Sequence, residues 1–242
     1  MSEARPAFYA LAPGGWRDYV TLLHPPYTLW HLSYVAIGAA LAPHVHGDRL
    51  VWALAAFALA LGIGAHALDE LNGRPLRTRI RGSTLVALAG VSIGGAIAIG
   101  IGAALAWGLW LLVFVAVGGF LVCAYNLELF GGRFHSDLWF ALAWGAFPTL
   151  TGYFVEAQKL RVEAVLAAAF AAALSAAQRT LSTQVRWTRR SVVAVTGEVE
   201  LSGGAREPVT EATLMRAPEL ALRSLAIAVA ALAAALLVLR LG

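Results

Sequence analysis

The sequence predicts an all-α, polytopic membrane protein: a helical bundle of about seven transmembrane helices. Of the 242 residues, 60% are hydrophobic and 13% are charged, whereas soluble domains carry roughly 25% charged residues. Mean hydropathy is +0.72, and apolar runs close to the ~20 residues that cross a bilayer recur along the chain. The alternative is a soluble all-α protein with very apolar helices, which the low charge disfavours.

We treat residues 1–242 as a single membrane domain. Residues 1–26 precede the first span, 27–180 contain six spans, 181–217 form a loop, and 218–240 form the last span. Residues 1–20 lack the compact apolar core of a cleavable signal peptide. The predicted spans cover about 27–44, 50–70, 84–103, 105–126, 137–155, 162–180 and 218–240.

The basic residues predict the orientation of these spans. With the N-terminus in the cytoplasm, fourteen of the 18 Lys and Arg residues lie on the cytoplasmic side, as the positive-inside rule requires. Topology therefore accounts for the sequence pI near 9.6 without a nucleic-acid partner. We expect an integral protein of a prokaryotic inner membrane, with loops 70–83, 127–136 and 181–217 facing the cytoplasm.

Two carboxylates follow directly on the second apolar run. His66, Asp69 and Glu70 lie at positions i, i+3 and i+4 of a helix and share one face. Carboxylates at the end of a membrane span are costly and point to function. We predict that Asp69 and Glu70 are catalytic and hold Mg²⁺, which prefers oxygen ligands. The alternative is that they only end a helix beside arginines that set the topology.

Arginines supply candidate ligands for phosphate groups. Arg74, which follows Asn72, is expected to bind phosphate oxygens directly. The span 162–180 is predicted to continue as one helix to about residue 190. It would place Arg179, Arg186 and Arg190 on one face, where they could hold a diphosphate or an anionic headgroup. The alternative is ordinary positive-inside charge.

The sequence disfavours several classes of enzyme and transporter. No G-x-x-x-x-G-K-[ST], G-x-S-x-G or H-E-x-x-H motif occurs. The six histidines form no HxxHH-type cluster, and His66 has no second His or Cys at zinc-ligand spacing. No span centre carries an ionisable residue outside the segments near the loops, which disfavours a small transporter.

Three regions of the chain together resemble a known family. The first is His24-Pro25-Pro26-Tyr27-Thr28-Leu29, at the start of the first span. The second combines Ala65-His66-Ala67-Leu68-Asp69 with Gly73-Arg74-Pro75-Leu76. The third combines Ala124-Tyr125-Asn126 with the span that contains Gly145 to Phe154. These regions resemble the UbiA superfamily of intramembrane prenyltransferases, whose motifs are Arg-Pro-x-Thr-Leu, Asn-Asp-x-x-Asp and a Gly-Tyr-Tyr-type fifth span.

The resemblance implies transfer of a prenyl group from a polyprenyl diphosphate, with Mg²⁺ held by two aspartate-rich motifs. The chain departs from the family in three ways. Its first motif keeps one aspartate, Asp69; its second motif, at residues 181–186, has none; and it has seven predicted spans where the family usually has nine. The residues that the resemblance and the charge pattern place at the substrate are His24, His66, Asn72, Arg74, Tyr125, Arg179, Arg186 and Arg190.

We therefore expect a UbiA-like membrane prenyltransferase. The alternative is a non-catalytic protein of the same fold that binds an isoprenoid lipid, which the missing second motif favours. In either case we predict that Arg179, Arg186 and Arg190 bind phosphate oxygens in place of the missing aspartates. The acceptor, the length of the prenyl chain and the oligomeric state are left open.

Overall fold

The structure, a computed structural model, describes residues 5–242 as eight helices and one short hairpin. The strands β1 (Glu198–Glu200) and β2 (Arg206–Pro208) pair antiparallel between the last two helices. The helices are α1 Trp16–Leu22, α2 Pro25–Leu41, α3 Gly47–Leu71, α4 Gly82–Trp107, α5 Leu111–Asn126, α6 Asp137–Ala157, α7 Val162–Ser191 and α8 Glu211–Leu241.

The all-α membrane fold is confirmed. Five helices, α3, α4, α6, α7 and α8, are long and apolar enough to cross a membrane. α5 is apolar but shorter, with 16 residues, and α2 has 17 residues. Each predicted span coincides with one of the helices α2 to α8. The count of seven crossings and the side of the N-terminus stay predictions.

α2 lies at the centre of the bundle, packed mainly against α6 and α8. It begins with Pro25, because a proline needs no hydrogen-bond acceptor for an N–H in the first turn. A Cβ added to Gly38 would lie 2.0 Å from the Thr149 carbonyl oxygen, and one on Gly152 would lie 2.1 Å from that of Val35. These two glycines allow the backbones of α2 and α6 to come into contact.

Two helices contain π-helical segments, Ala58–Ala65 in α3 and Ala141–Ala146 in α6. A π turn places one extra residue in a turn, so the residues that follow it are rotated around the helix axis. The α3 segment directly precedes His66, and the α6 segment contains Trp144. Both segments therefore orient side chains at the same end of the bundle, the end where α3 and α5 finish.

Glu70 fastens the loop that joins α3 to α4. Its side chain is fully buried, and Oε2 accepts the Leu76 N–H at 2.9 Å. Oε1 accepts the Thr78 N–H and hydroxyl, both at 2.8 Å. Arg74, with a positive φ of 54°, donates to the Ile80 carbonyl at 2.6 Å in the same loop. Glu70 is thus a structural anchor in this fold.

The segment before α2 packs on the same loop. Asp18 is buried in α1 and accepts the Arg79 N–H at 2.9 Å and the Gly14 N–H at 2.9 Å. The Leu11 N–H donates to the Thr21 hydroxyl at 3.0 Å. These bonds hold residues 5–15 across the end of the bundle where α2 begins.

Candidate functional site

A polar cavity of about 590 Å³ opens at this end of the bundle. Its volume lies in the range of small-molecule sites. It is bounded by the first turns of α2 and α6, the last turns of α3 and α5, the C-terminal half of α7 and residues 6–9. The predicted site residues that line it are His24, His66, Asp69, Asn72, Arg74, Tyr125, Arg179, Arg186 and Arg190.

Glu70 is the predicted site residue that the structure places elsewhere. We expected it beside Asp69 as a catalytic carboxylate and metal ligand. Both of its oxygens instead accept hydrogen bonds from the loop after α3. Adjacent helical residues point about 100° apart, so Asp69 faces the cavity while Glu70 faces the loop. This correction leaves Asp69 as the cavity-lining carboxylate of the first motif.

The arginines of α7 differ in whether their guanidinium groups already have hydrogen-bond or ion-pair partners. Arg179 pairs with Asp137 at 3.0 Å and lies over the Phe140 ring at 5.4 Å. Arg186 donates to the hydroxyls of Ser182 and Thr183 on its own helix. Arg190 has a buried Nε with no hydrogen-bond partner among residues 5–242. Two guanidinium groups are therefore left to bind an anion.

The charge of the cavity wall favours a negatively charged ligand. Five arginines line it, against the two carboxylates of Asp69 and Glu128. A concave site with a surplus of one sign concentrates ligands of the opposite sign. The arginines that line the cavity are Arg74, Arg77, Arg179, Arg186 and Arg190.

Buried polar atoms without partners are concentrated at this cavity. Four such side-chain atoms occur in residues 5–242, and three of them belong to Tyr125, Gln178 and Arg190, all of which line it. The Tyr125 and Gln178 residues are only 5% and 3% exposed. An unmade hydrogen bond of this kind costs about 1–3 kcal/mol, so each atom calls for a bound partner. No motif in the sequence pointed to Gln178.

Four histidines line the cavity, and each bonds to a backbone carbonyl through Nδ1. His24 bonds to Leu22 at 2.9 Å, His66 to Gly62 at 3.2 Å, His31 to Trp144 at 2.9 Å and His135 to Tyr125 at 3.0 Å. A carbonyl only accepts, so in each ring Nδ1 carries the proton and a neutral imidazole keeps its lone pair on Nε2.

His24 and His66 form the closest pair, with ring centroids 4.0 Å apart. Burial lowers the pKa of His24 well below its ordinary value, and His66 lowers it further. His31 and His135 were missed from the sequence. His31 lies seven residues after His24, on the same helix face, and that spacing would have been a usable signal.

Residues 6–9 form one wall of the cavity. The Tyr9 ring lies 5.3 Å from that of His24 and 5.5 Å from that of Tyr27. Burial raises the pKa of Tyr9 well above its ordinary value, and the nearby Tyr27 hydroxyl raises it further. Arg223 of α8 lies over the Phe8 ring at 4.8 Å. The sequence offered no reason to place this segment at the site.

The cavity supplies fewer carboxylates than the two aspartate-rich motifs that the resemblance implies for Mg²⁺. Mg²⁺ in proteins is usually held by one or two carboxylates together with water and phosphate oxygens. Of the predicted pair, only Asp69 faces the cavity, and residues 181–186 supply no carboxylate. Among residues 5–242, no group of three or more His, Cys, Asp or Glu side chains is placed to hold a metal ion.

An apolar crevice of about 110 Å³ adjoins the polar cavity. It runs between α3, α4, α5 and α6, from Trp52 and Trp107 near one end to Leu121 near the other. Trp144 lines both the crevice and the cavity. The two spaces together offer a basic chamber joined to an apolar passage.

Comparison with known proteins gives no match: no family description, no curated protein and no solved structure resembles this chain significantly. The resemblance to the UbiA superfamily therefore depends on the three sequence regions alone.

Proposed function

We propose that this protein is a UbiA-like membrane prenyltransferase, which binds a polyprenyl diphosphate and transfers its prenyl group to an acceptor. The observation that carries the proposal is the side-by-side arrangement of a basic cavity and an apolar crevice, with Trp144 common to both. A prenyl diphosphate has the same two-part character: an anionic head and a long apolar chain. The diphosphate would lie in the cavity, and the apolar chain would extend from it along the crevice.

The arginines would hold the diphosphate and stabilise it as a leaving group. Among residues 5–242, Arg186 and Arg190 have donors without carboxylate partners, and guanidinium groups bind phosphate oxygens in a two-point manner. Breaking the bond from carbon to the diphosphate oxygen places further negative charge on that oxygen. Fixed positive groups in a partly dry site stabilise such charge. Asp69 would stabilise the positive charge that develops on the allylic carbon.

A second candidate function is a non-catalytic isoprenoid-lipid-binding protein of the same architecture. The observation that favours it is the carboxylate count: Glu70 is committed to the loop, and α7 supplies arginines where the family has aspartates. The same cavity and crevice would serve to hold the lipid diphosphate without releasing its head.

One experiment separates the two functions. Purified protein in nanodiscs is given radiolabelled geranylgeranyl diphosphate and a membrane lipid extract as the source of acceptor, and bound donor and released diphosphate are measured with Mg²⁺ or with EDTA. Binding with release of diphosphate supports the transferase, whereas binding without release supports the lipid-binding protein. Failure to bind in both conditions would reject both functions.

Arginine variants test how the head is held. We expect Arg186→Gln and Arg190→Gln each to weaken donor binding about ten-fold, since a charge-assisted hydrogen bond contributes roughly 1.5–3 kcal/mol. Arg133→Gln is the matched control, because Arg133 is exposed and does not line the cavity. Equal affinity in all three variants would mean that the α7 arginines do not bind the diphosphate and contribute only to the orientation of the protein in the membrane.

A further inference from the structure

Residues 5–9, which we call the N-terminal lid, border the polar cavity: Pro6, Ala7, Phe8 and Tyr9 all line it. The chain that follows the lid is fixed to α1. The Leu11 N–H donates to the Thr21 hydroxyl at 3.0 Å, and the Gly14 N–H donates to Asp18 at 2.9 Å. The base of the lid therefore has its own attachment.

The other end of the lid is held by α7 and α8. The Arg189 guanidinium of α7 donates to the Arg5 carbonyl at 3.2 Å. The Arg223 guanidinium of α8 lies over the Phe8 ring at 4.8 Å, within the distance at which a cation is attracted to an aromatic face. The two ends of the lid are thus attached to different helices.

One carboxylate orients both of these arginines. Glu219 Oε1 accepts from Arg189 Nε at 2.8 Å, and Oε2 lies 4.0 Å from Arg223 Nη2. The Glu219 and Arg189 side chains are only 14% and 16% exposed, so their ion pair is better shielded from water than a surface pair. We call Arg189, Glu219 and Arg223 the latch.

The lid also carries a side chain that faces the ligand site. Tyr9 packs on His24 and lies near enough to Arg190 and Asp69 to interact with their charges. Arg190 directly follows Arg189, and adjacent helical residues point about 100° apart. One arginine therefore holds the lid while the next lines the cavity that the lid covers.

We propose that the N-terminal lid opens and closes over the cavity, and that the latch sets how often it opens. Closure excludes water from the arginine-lined cavity, which strengthens the attraction of these arginines for an anion. A ligand beneath Tyr9 stabilises the closed lid in turn. The lid controls access for any ligand, so the proposal does not depend on prenyl transfer.

The test measures access to Ser182, which lines the cavity and is 6% exposed. Protein carrying Cys123→Ser and Ser182→Cys is treated in nanodiscs with a water-soluble maleimide, without ligand. The labelling rate at position 182 follows the population of the open lid. We expect Glu219→Gln to raise this rate about ten-fold, the scale of one lost hydrogen bond between charged groups. Phe8→Ala should raise it about three-fold or more, through loss of the cation–π contact.

Two controls separate lid opening from general loosening. Glu211→Gln changes an exposed carboxylate at the start of the same helix as Glu219, and it should stay within about two-fold of the wild type, as at other exposed positions. Ser92→Cys replaces the Ser182→Cys reporter in a parallel set. Ser92 is buried in α4 outside the cavity, so labelling there should be equally slow in all variants.

The outcomes decide the lid and the proposed function separately. Equal labelling at position 182 in Glu219→Gln, Phe8→Ala and Glu211→Gln would overturn the lid. Faster labelling at positions 182 and 92 together would also overturn it, because the whole bundle would then be loosened. Geranylgeranyl diphosphate should slow labelling at position 182 in the wild type. Faster labelling at position 182 alone, without protection by this diphosphate, would support the lid and count against the proposed function.

Discussion

At the scale of single residues, Asp69 and Glu70 show that neighbours in sequence can have different roles. Glu70 accepts three hydrogen bonds from the loop after α3, whereas Asp69 lines the cavity. Removing Glu70 leaves two buried backbone N–H groups unpaired, and an unpaired buried donor is expensive. Removing the charge of Asp69 leaves no buried N–H group of this kind without a partner.

We expect Glu70→Ala to destabilise the protein by about 3 kcal/mol or more, since each bond to a charged group contributes about 1.5–3 kcal/mol. Asp69→Asn, the matched variant, should change stability by less than about 1 kcal/mol and abolish diphosphate release. Reversible unfolding in mixed micelles gives the stabilities. A destabilised Asp69→Asn beside an unaffected Glu70→Ala would reverse the two roles.

The histidines that line the cavity allow a prediction about protonation. His24 has a pKa below its value in the unfolded chain, so it is neutral in the folded protein at pH 6, with the proton on Nδ1. Nitrogen-15 NMR of histidine-labelled protein, with His24→Gln for assignment, reads this tautomer directly. A protonated His24 at pH 6 would contradict the structure.

The same shift has a consequence for stability. Between the two pKa values the unfolded chain binds more protons at His24 than the folded protein does, so this residue's contribution to stability falls as the pH is lowered below about 6.5. His24→Gln should therefore lose part of that acid sensitivity, as measured by unfolding between pH 5 and 7. An unchanged pH profile would count against the burial of a neutral His24.

At the scale of elements, the crossing of α2 and α6 holds the bundle in the arrangement that forms the site. Gly152 lies against the Val35 carbonyl and Gly38 against that of Thr149. His31 of α2 also bonds to the Trp144 carbonyl in the π segment of α6. The packing of these two helices therefore sets the distance between His31 and Trp144, the residue that lines both the cavity and the crevice.

A methyl group at this crossing should separate the two helices. We expect Gly152→Ala to destabilise the protein by about 1–3 kcal/mol, because its Cβ would meet backbone rather than a flexible side chain. Gly102→Ala in α4 is the control. No atom lies within 4 Å of its added Cβ, so the higher helix propensity of alanine should leave stability equal or higher. Similar losses in both variants would argue against the close crossing.

At the scale of the whole molecule, orientation in the membrane decides which compartment the cavity opens to. The charge distribution predicts that the α3–α4 loop is cytoplasmic and that the loop before α3 is on the other side. On this prediction the basic residues around the cavity would serve two purposes: they would set the topology, and two of them would remain available to an anion.

Labelling of single cysteines tests this orientation. In a Cys123→Ser background, Asp48→Cys should react with an impermeant maleimide in intact cells, and Arg81→Cys should react only after the membrane is opened. Both positions are exposed, so burial does not explain a negative result. Labelling of position 81 from outside would invert the topology and place the cavity on the opposite side.

The sequence by itself determined the fold class and the approximate positions of the helices α2 to α8. It also predicted that Asp69 and the arginines of α7 face a common site. These features depend on local composition and helical spacing. The bilayer requires long apolar runs, and residues 179, 186 and 190 share a face in any straight helix.

The tertiary structure decided those features that the spacing of residues along the sequence cannot predict. It separated Asp69 from Glu70, joined four histidines from α2, α3 and the α5–α6 loop into one wall, and aligned an apolar crevice with Trp144. Each of these results depends on how helices cross and on two π turns that rotate the residues after them. Hydropathy carries no information on rotation about a helix axis, so contacts between distant segments alone define the cavity.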